Sequence, residues 1–155
     1  MKNKSTIWGP QALSARQERL RQSRSRIAPR RESWITKNRY FYQKIKNLFA
    51  FIVEPNKTVL NIGCQTGFLL EAVSPARGLG VDISEEMLQE ARKLHPEFEF
   101  TNLSSLKAES AEKFDYIICS DIGETVDVLK QLKHVKNFCK RHTRLLIYSY
   151  IAASN

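Results

Sequence analysis

The sequence predicts an α/β fold: a doubly wound, mostly parallel, Rossmann-like sheet of about five strands with helices on both faces, preceded by a basic helical extension. Three observations predict it. From residue 58 onward, short apolar runs alternate strictly with stretches of helical period, the order that builds parallel strands joined by crossover helices. The run Phe114–Ser120 (FDYIICS) is nearly all apolar, as a strand buried on both faces is. A turn with two glycines, Gly63-Cys64-Gln65-Thr66-Gly67, follows the first strand run and opens a helix.

Residues 1–33 read as a basic arm, mobile or weakly helical. Ala12–Ile27 holds helix formers, but its apolar content is thin and Pro29 interrupts it. Leu13, Leu20, Ile27, Trp34, Phe41 and Leu48 recur every seven residues. One apolar position per heptad is too narrow for a coiled-coil seam, so the recurrence reads as coincidence. Trp34, Ile35, Tyr40, Phe41, Ile45, Leu48, Phe49 and Ile52 sit at near-helical spacing with lysines and arginines between them. They predict one amphipathic helix over 34–52 that packs on the body. Thr58–Ile62 (TVLNI) is the first strand, and Phe68–Val73 a short helix stopped before Pro75.

Gly78–Ile83 is the second strand. Ser84 then caps a helix with Glu85 and Glu86 in its first turn, Arg92 and Lys93 in its last, and Met87, Leu88, Ala91 and Leu94 as its inner stripe. Pro96 ends it. Phe98–Thr101 is the third strand and Phe114–Ser120 the fourth. A helix over about 124–140 carries Val128, Leu132, Val135 and Cys139 on one stripe, and Arg144–Tyr150 (RLLIYSY) is the fifth strand.

The 155 residues carry 25 Lys+Arg against 16 Asp+Glu, and the excess is uneven. Residues 1–46 hold 13 of the basic residues and 2 of the acidic ones, so the body is nearly neutral. The hydrophobic share of 42% supports a real core and excludes a disordered or collagen-like chain. No apolar run approaches the ~18 residues of a membrane span, and the first ten residues lack the apolar core of a secretory signal. The Arg-rich, acid-poor first 30 residues have the composition of an organellar transit peptide. Cys64, Cys119 and Cys139 are odd in number and set among apolar neighbours, as reduced thiols in a cytoplasmic protein are. None of the three histidines pairs with them at a zinc spacing, so no metal site is expected.

In an open α/β sheet the ligand lies at the carboxyl ends of the strands, which makes Gly63–Gly67 its natural place. Asp82, at the end of the second strand, follows Gly63 by 19 residues, near the ~20 expected of a carboxylate that bonds a ribose diol. The dinucleotide fingerprint G-x-G-x-x-G fails twice, with Gln65 at its second glycine and Phe68 at its third. No Gly-Lys-Ser/Thr of a P-loop follows either. A ribose-binding acid without a pyrophosphate cradle points to a nucleoside without phosphates, of which S-adenosylmethionine is the common one.

The same residues resemble a known family. VLNIGCQTG (59–67) resembles the first motif of class I S-adenosylmethionine-dependent methyltransferases, and GVDIS (80–84) the second. FEFTNLSSL (98–106) is similar to the third motif and FDYIICSD (114–121) to the fourth. The likeness runs from Trp34 to Tyr150. It is nearest to methyltransferase domains found alone or fused to glycosyltransferases, including the basic-aromatic lead-in WITKNRYFYQKIKNL.

The resemblance implies a cofactor site of Asn61, Gly63, Cys64, Gln65, Gly67, Asp82, Ile83, Asn102, Leu103 and Ser120. Gly63 and Gly67 would shape the loop at the methionine part, and Asp82 would accept from the ribose hydroxyls. Ile83 and Leu103 would flank the adenine, with the Asn102 side-chain oxygen at its amino group. Ser120 and Asp121 would face the methyl-transfer end. No catalytic acid or base stands out, although Tyr40, Tyr42, Asp121 and Tyr150 are available to an acceptor.

Asn61, Gln65 and Asn102 replace residues the family normally keeps as acid, glycine and acid. The family's sheet usually continues past the fifth strand, so residues 34–155 are expected to be such a domain truncated there, with an edge open to self-association. The implied function is methyl transfer to a small-molecule or glycolipid-type acceptor. The alternatives are a degenerate, non-catalytic scaffold, and a nucleic-acid methyltransferase using the basic arm on phosphates. That arm could equally touch an anionic surface.

Overall fold

In the computed structural model, which describes residues 14–107, 112–120 and 128–149, five strands form one sheet. They are β1 Thr58–Ile62, β2 Arg77–Asp82, β3 Glu99–Asn102, β4 Phe114–Ser120 and β5 Cys139–Tyr148. Their order is β3-β2-β1-β4-β5, with every neighbouring pair parallel. The helices are α1 Ala15–Ile27, α2 Arg31–Lys37, α3 Arg39–Ile52, α4 Phe68–Val73, α5 Glu85–Leu94 and α6 Val128–Val135. The chain steps from β1 outward to β3, then returns across the sheet to β4. The strand order therefore reverses between β1 and β4, where an open α/β sheet leaves a crevice at its carboxyl ends.

Side chains alternate across the central strands and build a core on each face. On one face Val59, Tyr116 and Ile118 pack with Tyr42, Ile45 and Phe49 of α3, Leu69 and Leu70 of α4, and Leu88 and Ala91 of α5. On the other, Leu60, Ile62, Val81 and Ile117 meet Val135 of α6, Phe138 and the Leu103–Leu106 turn. The expected bounds of β1, α4, α5 and β4 are those observed. The Ser84 hydroxyl accepts the Met87 N–H at 3.2 Å, the side-chain cap that starts α5.

β2 starts one residue before the expected Gly78–Ile83 and β3 one residue after the expected Phe98–Thr101, and three larger expectations are corrected. The helix expected over 34–52 begins earlier and is broken at Asn38, whose Nδ2 donates to the Trp34 carbonyl at 2.9 Å. A short amide side chain thus competes with the backbone at that point. The helix expected over 124–140 ends sooner: Val128–Val135 is followed by one tight turn, Lys136–Phe138, and Cys139 already lies in β5. Its residues 124–127 lie outside the described residues. β5 in turn starts five residues before Arg144. Thr143 Oγ1 accepts the Lys140 N–H at 2.6 Å and donates to the Phe114 carbonyl at 2.5 Å, fastening the polar stretch to β4 beside a register shift. Among the described residues, no helix is long and apolar enough to cross a membrane.

Candidate functional site

The crevice at the β1/β4 reversal is walled by the turn after β1 and the end of β4. The Gly63 and Cys64 N–H groups both donate to the Val81 carbonyl, at 2.7 and 3.0 Å, so the turn bends over the end of β2. Gly63 sits at φ +77°, and a Cβ there would lie 2.5 Å from the Ser120 carbonyl oxygen. Only glycine lets β1 turn this close to β4. At Gly67, φ +89°, an added Cβ would instead meet the His95 and Phe100 rings at 3.0 Å. Gln65 occupies the left-handed region at φ +51°, which a residue with a Cβ enters at a cost of roughly 1 kcal/mol.

Asp82 stands at the end of β2 with its side chain buried. Its Oδ1 accepts the Ser84 N–H at 3.0 Å, and its Oδ2 accepts the Gln65 N–H at 3.0 Å. The same Oδ2 accepts from the guanidinium of Arg24 in α1, an ion pair in which both side chains are buried. Sequence reasoning did not foresee this partner, since an arginine in a thin-patterned basic segment reads as surface.

Three further contacts dock the N-terminal segment on the site. Ser25 lies 3.0 Å from the Ser84 hydroxyl and donates to Glu86 at 2.5 Å, while Thr66 Oγ1 donates to Glu32 at 2.6 Å. Leu20 and Arg24 line one cleft with Gly63, Val81, Asp82, Ile83 and Leu103. The space left in that cleft is about 20 Å³, about enough for one water.

The other expected site residues divide. Asn61 lies on the same face as Ser120 and donates to its hydroxyl at 3.2 Å and to the Ile118 carbonyl at 3.3 Å. Its Oδ1 is buried with no hydrogen-bond partner among the described residues. The Cys64 side chain belongs to the core, where burial pushes its thiol well up. Only its backbone shapes the turn. Asn102 Oδ1 is already engaged, accepting from the Ser104 N–H at 3.1 Å and the Ser104 hydroxyl at 2.8 Å. Ile83, Leu103 and Ser120 do line the crevice.

Beside the filled cleft lies a cavity of about 540 Å³ between α1, α2, α3 and the ends of β4 and β5. Trp34, Phe41, Tyr42, Phe68 and Tyr148 supply aromatic walls, and Arg31, Asn38, Gln65 and Ser120 the polar points. The Arg31 guanidinium stands 5.2 Å over the Tyr42 ring. Leu20, Ile27, Trp34 and Phe41 all face this cavity. Four of the six residues in the seven-residue recurrence thus share one wall, spread over three helices, whereas Leu48 is exposed and off the cavity and Leu13 lies outside the described residues. Tyr40 is 75% exposed and does not line the cavity. Asp121 and Tyr150 lie outside the described residues.

A family model described as a methyltransferase domain matches residues 60–145, more than half of the chain. A search of curated proteins finds no significant match. Among solved structures, an S-adenosylmethionine-dependent methyltransferase from Thermotoga maritima superposes with a TM-score of 0.63 at 23% identity, over 79% of this chain and 58% of its own. One from Thiobacillus denitrificans, in complex with S-adenosyl-L-homocysteine, gives 0.55 at 19% over 68% and 47%. The complex of the Haloferax volcanii Trm112 methyltransferase activator with a candidate methyltransferase gives 0.59 at 20% over 76% and 55%. The chain thus spans about half the length of the structures it matches.

Proposed function

The chain belongs to the methyltransferase-domain family, and from that premise we propose that it carries a methyl group from S-adenosylmethionine to a small-molecule or glycolipid-type acceptor. The donor lies at the carboxyl ends of β1, β2 and β3, and the acceptor in the adjoining aromatic cavity. The observation that carries the reading is Asp82. Its carboxylate is held by the Ser84 and Gln65 N–H groups at the mouth of the strand reversal, one turn from the bare backbone of Gly63.

The donor set fits in kind. A carboxylate fixed by backbone N–H groups accepts from a ribose diol, Ile83 and Leu103 offer apolar faces to a base, and the buried Asn61 Oδ1 still lacks a donor. When bound, S-adenosylmethionine supplies a sulfonium methyl group open to in-line attack. The residues of the chain act by holding the two reactants in line and dry, which alone accelerates a displacement greatly. The aromatic walls of the 540 Å³ cavity support a small or partly apolar acceptor.

A second reading, a degenerate fold that binds the donor weakly or only scaffolds, is favoured by Leu20 and Arg24 filling the cleft and by Gln65 at the left-handed position. Calorimetric titration with S-adenosylhomocysteine separates the two. One-site binding tighter than about 1 mM is expected. In a chain carrying Arg24→Ala, where the ion pair is already gone, Asp82→Asn is expected to weaken it a further ~30-fold, since charged hydrogen bonds contribute about 1.5–3 kcal/mol each. Absence of heat at millimolar ligand would reject donor binding.

A further inference from the structure

We propose that α1 is an intramolecular plug of the donor cleft: Arg24 occupies the ribose-binding carboxylate, Leu20 covers the base-binding walls, and the donor enters only when α1 leaves. This rests on the donor reading of Asp82, and it concerns the regulation of that same site. Three features of the contact carry it. The Arg24–Asp82 pair is buried on both sides, so a diol cannot reach Asp82 Oδ2 without displacing the guanidinium. Leu20 lines the same cleft as Ile83, Leu103 and Gly63, and about 20 Å³ remains where a nucleoside must lie. The plug is also latched from outside, by Ser25 on Ser84 and Glu86.

The sequence of the plug suits release. Ala15–Ile27 has little apolar content and buries only Arg24 among its residues, so among the described contacts it is held chiefly by the Arg24–Asp82 pair, the Ser25 hydrogen bonds and Leu20 in the cleft. Its own hydrogen bonds persist when it leaves: the Ser14–Gln17 capping box and the Glu18–Arg21 bridge lie within the helix. The hinge is the tight turn Ala28–Arg30 around Pro29, where α1 joins α2. Arg31 and Glu32 beyond it can stay docked, Glu32 on Thr66.

Closed and open states then compete with the donor, so the apparent affinity is the intrinsic one multiplied by the open fraction. Calorimetry with S-adenosylhomocysteine and hydrogen exchange are run on the full chain, on Arg24→Ala, and on Leu20→Ser, which spares the ion pair in case Arg24→Ala misfolds. The expected result is roughly tenfold or greater tightening in each variant. In the wild-type protein, the ligand should speed amide exchange across residues 15–27. Equal or weaker binding in both variants, or ligand-induced protection of residues 15–27, overturns the plug while leaving donor binding in place. No binding by the wild type or either variant overturns the plug and the donor reading together.

Discussion

Gly63 stands where the chain must leave β1 with β4 at its back. At φ +77°, with the Ser120 carbonyl oxygen 2.5 Å from where a Cβ would be, alanine meets both a backbone penalty and a backbone obstacle that cannot swing aside. Gly63→Ala is expected to lower unfolding stability by about 2 kcal/mol or more, read as a lower urea midpoint with unchanged slope. Gln65 is the opposite case: its side chain is borne in a left-handed conformation, a site where glycine is the easier residue. At this scale much of the candidate site was legible, because a glycine turn and an acid at a strand end announce themselves by spacing. Arg24 did not, because nothing within its own segment shows that it will be buried.

At the scale of elements, α5 shows how local chemistry sets a boundary that tertiary contact then reuses. Ser84 caps the helix through the Met87 N–H, Glu85 and Glu86 meet the positive end of the dipole, and Arg92 and Lys93 the negative one. The same hydroxyl lies 3.0 Å from Ser25 of α1. Ser84→Ala is expected to cost about 1 kcal/mol for the lost cap, with the added signature of faster amide exchange in residues 15–27. An unchanged exchange rate there would show that the hydroxyl serves α5 alone. The apolar stripe Val128, Leu132, Val135 and Cys139 suits a helix that runs on through the Lys136–Arg141 stretch. The Thr143 bonds to Lys140 and Phe114 instead draw it into the sheet.

Across the whole molecule, one carboxylate ties three neighbouring strands at the amino end of the sheet. Asp115 of β4 accepts the Thr58 N–H and hydroxyl of β1, both at 2.9 Å, and the Lys140 ammonium of β5 at 2.7 Å. The Lys140 hydrogen bond first, then the Thr58 N–H, hold its carboxyl down at about 2, from an ordinary value of 3.8. A carboxyl depressed by folding stabilises the protein above its unfolded value and loses that contribution as pH falls through the folded one. Melting temperature is therefore expected to drop between about pH 4 and pH 2, and Asp115→Asn to melt lower at neutral pH with a flatter acid limb. An acid limb identical to the wild type would assign the effect to other groups.

Periodicity, glycine spacing and capping residues were enough to determine the α/β class, the bounds of β1, α4, α5 and β4, and the place of the candidate site, because each of these depends on contacts within a few residues. Only the tertiary structure decided what occupies that site. Arg24 and Asp82 are 58 residues apart, and no local pattern encodes their meeting. The shared wall of Leu20, Ile27, Trp34 and Phe41 was equally hidden, since these residues lie on three helices whose turns at Pro29 and Asn38 bring them to one cavity. Arg24, one of the 13 basic residues in 1–46, is for this reason not set apart from the neutral body. It sits on the carboxylate around which the body is organised, because burying a lone carboxylate costs more than burying a pair.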